Sequence, residues 1–339
     1  MIIVFKPGIS KSDERTVLAE IRKLGYTPHV MRGVARTVVG AIGDELTHAD
    51  LETLTAQFPA AVESVMPIQK RYKLVSREAH PANSTVRVRE HTIGGSKFHV
   101  MAGPCSVESE RQLLTTAEAV RAAGATVLRG GAFKPRTSPY EFQGLGEKGL
   151  KLLAKARKQT GLAIITELLS EQHVELVAEY TDIIQIGARN AQNFQLLIAA
   201  AQTGKPVLLK RGLSMRIEEW LLAGEYVLAN ENPNLMFCER GIRTFETYTR
   251  NTLDLSTTPI IKREAHSPIV IDPSQGAGRA DLVATMCKGA VAMGADALLI
   301  EVHPNPAEAW SDGAQQLTLD GFAKLMLELK PFITAAGRE

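Results

Sequence analysis

The chain has 339 residues, 45% of them hydrophobic and 22% charged, with a formal net charge of +2. That length exceeds one small domain and suits a large barrel plus a small extra domain, while the ordinary globular composition excludes a fibre or a disordered chain. Cations and anions are mixed along the chain, which removes any electrostatic case for nucleic acid as a partner.

Residues 1–70 read as a compact α+β unit. Ile2–Phe5 is a short β run, and Glu14–Leu24 places Val17, Leu18, Ile21 and Leu24 on one helical face. Pro28–Met31 and Arg36–Ile42 predict two strands around a turn at Arg32-Gly33, Leu51–Gln57 a second helix, and Val62–Val65 a last strand. The order β-α-β-β-α-β is the split, ferredoxin-like pattern. Residues 71–95 are basic, contain Pro81-Ala82-Asn83-Ser84-Thr85 and end in Gly94-Gly95. They read as a linker with a short strand at Val86–Val88 set against the mouth or the bottom of the barrel.

From residue 96 to 339 short β-branched runs alternate with helical stretches. Eight strands are predicted at His99–Gly103, Thr126–Arg129, Ala163–Glu167, Ile183–Ile186, Val207–Lys210, Leu235–Glu239, Ile269–Asp272 and Ala297–Glu301. This rhythm suits a (β/α)8 barrel, with a doubly wound sheet as the rival architecture. Cys105, Cys238 and Cys287 are odd in number and lack zinc-like spacing, so they read as free thiols of a reducing cytoplasm. The first residues lack the pattern of a signal peptide, and no apolar run reaches the roughly 20 residues that span a bilayer. A cytoplasmic protein without a membrane partner is expected.

In a barrel, chemistry gathers at the carboxyl ends of the strands. Those ends carry Cys105, Arg129, Glu167, Arg189, Lys210, Arg240, Gln275 and Glu301. Charges following buried apolar runs need partners, because an unpaired buried charge is costly. One reading is salt bridges to Glu167, Glu239 and Glu301; the other is a pocket for a multiply charged anion, such as phosphate plus carboxylate. Lys134-Pro135-Arg136-Thr137-Ser138 makes a second anion cradle beside the strand that ends at Arg129. Cys105, Glu301 and Asp312 offer thiolate and carboxylate ligands to a divalent ion, with a plain buried cysteine as the alternative for Cys105.

Together these residues resemble the 3-deoxy-D-arabino-heptulosonate 7-phosphate (DAHP) synthase family, in its shorter microbial class, over essentially the whole chain. The motifs are Gly103-Pro104-Cys105-Ser106, Lys134-Pro135-Arg136-Thr137-Ser138, Ile186-Gly187-Ala188-Arg189-Asn190, Cys238-Glu239-Arg240-Gly241, Asp272-Pro273-Ser274, Glu301-Val302-His303-Pro304 and Ser311-Asp312-Gly313. The resemblance implies a transferase at the entry to the shikimate pathway, joining phosphoenolpyruvate to erythrose 4-phosphate with loss of phosphate. It implies that Arg129, Lys134, Arg189, Lys210 and Arg240 hold phosphoenolpyruvate, with Pro135, Ala188 and His303 among the substrate contacts. Arg136 and Thr137 would hold the phosphate of the aldose. Cys105, Glu301 and Asp312 would bind a divalent metal at the reacting aldehyde, Lys134 would protonate the new alkoxide, and Glu167 would position water.

One position departs from the family pattern. Gln275 stands where the resemblance leads one to expect a histidine ligand. The favoured outcome is ligation through the amide oxygen, which shifts preference toward manganese or magnesium over cobalt, zinc or iron(II). Substitution by His303, or loss of the metal requirement, are the alternatives; His266 reads as structural. The resemblance further implies a regulatory amino-terminal domain that binds tyrosine or phenylalanine near His29 and Arg32-Gly33, and a homotetramer. Alternative functions are the sister synthase that uses arabinose 5-phosphate to make an octulosonate phosphate, and an impaired barrel kept as a regulatory partner.

Overall fold

The computed structural model describes residues 1–32, 37–42, 48–66, 71–136 and 138–339, with the backbone alone at residues 29, 31, 32, 42, 48 and 49. Thr137, the Gly33 turn and Arg36 lie outside the described residues. The chain forms two compact units, Met1–Arg71 and Tyr72–Glu339.

In the first unit, β1 (Ile2–Phe5), β2 (Thr27–Arg32), β3 (Thr37–Ile42) and β4 (Val62–Met66) form an antiparallel sheet in the order β2-β3-β1-β4. Helix α1 (Lys11–Lys23) starts where the Ser10 hydroxyl accepts from the Asp13 N–H. Its buried Val17 and Ile21 pack with Ile3, Phe5 and Val39 of the sheet. The second helix expected here is divided into α2 (His48–Glu52) and α3 (Leu54–Gln57). At the break, the Thr53 hydroxyl donates to the Asp50 carbonyl at 2.6 Å, a local bond that competes with a continuous helix.

In the second unit all eight expected barrel strands are present. They are β7 (His99–Gly103), β8 (Val127–Arg129), β9 (Ala163–Leu168), β10 (Ile183–Ile186), β11 (Val207–Lys210), β12 (Leu235–Glu239), β13 (Ile269–Ile271) and β14 (Ala297–Glu301). They close as a parallel barrel in chain order, β14 pairing with β7. Helices α4 (Glu110–Ala122), α5 (Glu147–Thr160), α6 (Val174–Tyr180), α7 (Phe194–Gln202), α8 (Ile217–Ala229), α9 (Thr257–Glu264), α10 (Pro273–Ala277), α11 (Ala280–Ala292) and α12 (Leu319–Ala335) follow the strands. Strand periodicity sorts the side chains into two cores. Val100, Leu128, Ile164, Leu209 and Phe237 face the helices, whereas Met101, Val127, Ile165, Leu208 and Met236 fill the interior. No helix among the described residues is long and apolar enough to cross a membrane.

The stretch read as a linker is built into this unit from Tyr72 onward. The Glu225 carboxylate of α8 accepts the backbone N–H groups of Lys73, Leu74 and Val75 at 2.7–3.0 Å, which fastens the segment to the barrel. Next comes a hairpin, β5 (Val86–Val88) paired with β6 (His91–Ile93). Val86, Val88 and Ile93 join the interior core beside residues that begin the strands, so the hairpin closes the floor and leaves the carboxyl ends open. Burial pushes the Cys238 and Cys287 thiols far above their usual range, so both remain neutral. All three cysteines are free.

Phe237 meets the Trp220 ring edge-on at a centroid distance of 4.9 Å, and a Cβ at Gly224 would fall 2.6 Å from its ring. The pocket is tight, so truncation leaves a cavity that neighbours cannot fill. Phe237→Ala is expected to cost about 3–5 kcal/mol, checked by denaturant unfolding.

Candidate active site

The open end of the barrel holds a cavity of about 240 Å³. Seven cationic side chains line it: Arg129, Lys134, Arg136, Arg189, Lys210, Arg240 and Arg250. Three acidic ones, Glu141, Glu167 and Asp312, face the same space, with Gln185 and Gln275. Two glycines make room for this crowding. Gly103 ends β7 at φ +155, and a Cβ there would lie 2.1 Å from the Arg129 carbonyl oxygen. At Gly187 a Cβ would lie 1.9 Å from Glu167 Oε1, so the turn after β10 must be glycine for the Glu167 carboxylate to stand where it does.

Of these cations Arg129, Lys134, Lys210 and Arg240 are buried, Arg136 is half-buried, and Arg189 and Arg250 are exposed; the set is only partly neutralised. Arg129 pairs with Glu301, while its buried Nε has no partner. Lys210 pairs with Asp272 at 2.5 Å, and Asp272 also accepts the Gln275 N–H to cap α10. Arg136 pairs with Glu141 at 2.8 Å and Arg250 with Asp312 at 3.3 Å. Glu239 pairs with Arg211, not with the mouth, and among the described residues Glu167 makes no ion pair. Among the same residues Arg189 and Arg240 have no carboxylate partner either. The salt-bridge reading therefore covers Arg129, while Arg189 and Arg240 are left with charge to offer an anion.

Among the described residues one cluster could hold a metal ion: the ligand atoms of Cys105, Glu301 and Asp312 lie within 4.8 Å of one another. A thiol and two carboxylates suit a divalent cation of intermediate hardness. Lys134 Nζ donates to the Cys105 carbonyl at 3.1 Å and lies 3.0 Å from its Sγ. Burial pushes the Cys105 thiol up to about 11, and the Glu301 charge adds to this against Lys134. Burial alone would lower the Lys134 ammonium, yet Cys105 and Glu301 outweigh it and hold Lys134 above its ordinary value, so it stays charged. The fourth expected ligand, Gln275, touches the cluster through its amide nitrogen. Nε2 donates to Glu301 Oε1 at 3.1 Å and to Asp312 Oδ2 at 3.5 Å.

The cavity thus gathers Arg129, Lys134, Pro135, Arg136, Glu167, Ala188, Arg189, Lys210, Arg240, Gln275 and Asp312, with Cys105 and Glu301 behind them. His303 stands apart, lining a separate pocket of about 550 Å³ with Glu108 and Trp310. Its Nδ1 accepts the Asn305 N–H at 3.1 Å, so Nε2 carries the proton and donates to Glu108 at 3.1 Å, which leaves neither nitrogen free for a metal. His266 is bonded to Ser84 and the Leu74 carbonyl. Sequence reasoning missed Gln185, Glu141 and Arg250. Gln185 was findable as the single polar residue inside β10, whereas Arg250 sits in an irregular loop that carries no such signal.

Burial raises the Glu301 carboxyl, but Arg129 and Lys134, with hydrogen bonds from Gln315 and Arg129, outweigh this and hold it at about 2, against an ordinary 4.5. A depressed carboxyl contributes stability above its unfolded value and loses it as pH falls toward the folded one. Acid unfolding is therefore expected to steepen between about pH 4.5 and 2. Glu301→Gln, which strands buried Arg129, should lower stability at neutral pH by about 3–5 kcal/mol and flatten that acid dependence. Denaturant melts across pH check both.

The chain matches the model of the DAHP synthetase I family over residues 78–335 and that of the DAHP synthase ferredoxin-like domain over residues 1–70. It is 49% identical over 339 residues to the phospho-2-dehydro-3-deoxyheptonate aldolase of Thermotoga maritima, covering 99% of each chain. The crystal structure of a DAHP synthase from Thermotoga maritima superposes at a TM-score of 0.81 with 48% identity, over 100% of this chain and 98% of that one. A 2-dehydro-3-deoxyphosphooctonate aldolase of Syntrophotalea carbinolica is more distant, 33% identical over 72% of this chain and 94% of its own length. With both segments matched and likeness along its full length, the chain belongs to the DAHP synthetase I family.

Proposed function

We propose that this enzyme is a 3-deoxy-7-phosphoheptulonate synthase, a transferase that condenses phosphoenolpyruvate with D-erythrose 4-phosphate and releases inorganic phosphate. The observation that carries the reading is the cavity lined by seven cationic side chains at the open end of the barrel. That excess suits two phosphorylated substrates, one of which also bears a carboxylate. Family membership along the whole chain supports the same reaction.

In this reading Arg129, Lys134, Arg189, Lys210 and Arg240 bind the phosphate and carboxylate of phosphoenolpyruvate, between walls that include Pro135 and Ala188. Arg136 and Thr137 take the phosphate of erythrose 4-phosphate. Cys105, Glu301 and Asp312, with Gln275 as fourth ligand, would hold a divalent cation, for which Mn2+ is favoured on oxygen-donor grounds. Such a cation supplies Lewis acidity to the aldehyde oxygen. The chain's own residues align the terminal enol carbon of phosphoenolpyruvate with the aldehyde carbon, and the new carbon–carbon bond leaves an alkoxide. Charged Lys134 donates its proton there. Glu167 orients the water that adds at the phosphate-bearing carbon, and phosphate leaves with its bridging oxygen by C–O cleavage. His303 stays outside these steps because both ring nitrogens are engaged elsewhere.

The amino-terminal unit is read as a regulatory module for tyrosine or phenylalanine in a cytoplasmic homotetramer, supported by its match to the family's ferredoxin-like domain. A form beginning at Tyr72, which keeps the strap and the floor hairpin of the barrel, should keep turnover and lose inhibition by these amino acids; retention of the same inhibition would overturn the regulatory role.

Phosphate release should require phosphoenolpyruvate and erythrose 4-phosphate together, and arabinose 5-phosphate should be a poor replacement. Preference for arabinose 5-phosphate would assign the octulosonate reaction, and no release with any added divalent metal would support an impaired barrel. Lys134→Arg keeps the charge but cannot give up a proton, so kcat should fall by about 10²-fold or more. Near-normal turnover in that variant would refute the acid role.

A further inference from the structure

Gln275 joins two parts of the mouth that serve different ligands. Its Oε1 accepts from Arg240 Nη2 at 2.8 Å, while Nε2 donates to Glu301 and Asp312. A guanidinium only donates and a carboxylate only accepts, so these neighbours dictate which way the amide faces. The one atom of this side chain that can ligate a cation therefore points away from the cluster and toward Arg240. Ligation requires the amide to turn over. Turning takes the acceptor from buried Arg240 and sets an NH2 group against a guanidinium, a donor facing a donor. The penalty disappears when an anion takes over the hydrogens of Arg240, because a phosphate or carboxylate is a stronger acceptor than a neutral amide.

We infer that Gln275 is a positioning residue that links the two sites, so that cation binding at Cys105, Glu301 and Asp312 and anion binding at Arg240 favour each other through the turning of one amide. The inference rests on the proposed reading of the mouth as a phosphoenolpyruvate site and of the cluster as a divalent-cation site. Cation and anion also attract one another directly, and that part survives replacement of Gln275. The amide contribution does not. Histidine at this position ligates without surrendering an acceptor to Arg240, and methionine, of similar length, neither ligates hard cations well nor reverses its polarity.

The test uses the full chain without the aldose, so that no turnover occurs. Mn2+ affinity is read from the electron paramagnetic resonance of the free ion, with and without saturating phosphoenolpyruvate, in the unaltered protein, Gln275→His and Gln275→Met. Phosphoenolpyruvate should tighten Mn2+ binding by about tenfold or more in the unaltered protein, and Mn2+ should tighten phosphoenolpyruvate binding by the same factor. Both variants should show a clearly smaller factor, and Gln275→His should bind Mn2+ more tightly when no anion is present. If one variant fails to fold, the other carries the comparison. Equal factors in the unaltered protein and the folded variants would overturn the linkage alone. Absence of Mn2+ binding under every condition would overturn the cation reading and the linkage with it. Mn2+ binding without any phosphoenolpyruvate binding by calorimetry would overturn the substrate reading beneath both.

Discussion

Cations packed at the end of an apolar barrel must find anions, and the organisation of this mouth derives from that requirement. Desolvating a guanidinium or ammonium costs several kcal/mol unless charge and hydrogen bonds compensate. Arg129 and Lys210 meet the cost internally, through Glu301 and Asp272, both almost fully buried. Arg240 is buried as well but has no such carboxylate among the described residues; it borders the open cavity beside Arg189, which is exposed and equally without a carboxylate. A site with this imbalance is set up for ligands that bring negative charge with them. Glu301 serves twice, because the carboxylate that neutralises Arg129 also belongs to the cluster that could hold a cation.

Support for these side chains lies just behind them. Arg211 reaches from the end of β11 and donates from Nη1 to Glu239, Asp254 and Thr257, each at 2.9 Å. Glu239 in turn accepts the Gly241 N–H at 2.6 Å. Burial raises the Glu239 carboxyl, against the pull of Arg211, so this buried network depends on its arginine. It anchors both ends of the loop that carries Arg240 and Arg250 into the cavity. At the opposite end, the hairpin seals the interior with Val86, Val88 and Ile93, so the open approach is at the carboxyl ends.

The barrel was legible because each strand is a short β-branched run bounded by turn residues, and a parallel barrel buries both faces of every such run. Strand ends then pointed to the site, since charges such as Arg129 and Lys210 stand where an apolar run stops. Less was legible where long-range partners decide. The segment after Tyr72 looked like a linker by composition, but the Glu225 carboxylate that fastens it is some 150 positions away in sequence. The helix expected over Leu51–Gln57 is divided by one hydroxyl bond at Thr53. His303 has a metal-ligand side chain in a family motif, yet Glu108 and the Asn305 N–H hold it in another pocket. Gln275 was visible as a departure from the family pattern; the direction its amide faces depends on Arg240 and two carboxylates brought together only by folding.

The central claim is that the mouth condenses phosphoenolpyruvate by attack of its enol carbon and expels phosphate together with the bridging oxygen. Phosphoenolpyruvate carrying ¹⁸O in that bridging position tests it directly when turned over with erythrose 4-phosphate. The label should appear in the released inorganic phosphate, accompanied by one equivalent of a seven-carbon sugar acid phosphate. Label retained on the carbon side, or phosphate released without the sugar acid, would contradict the account.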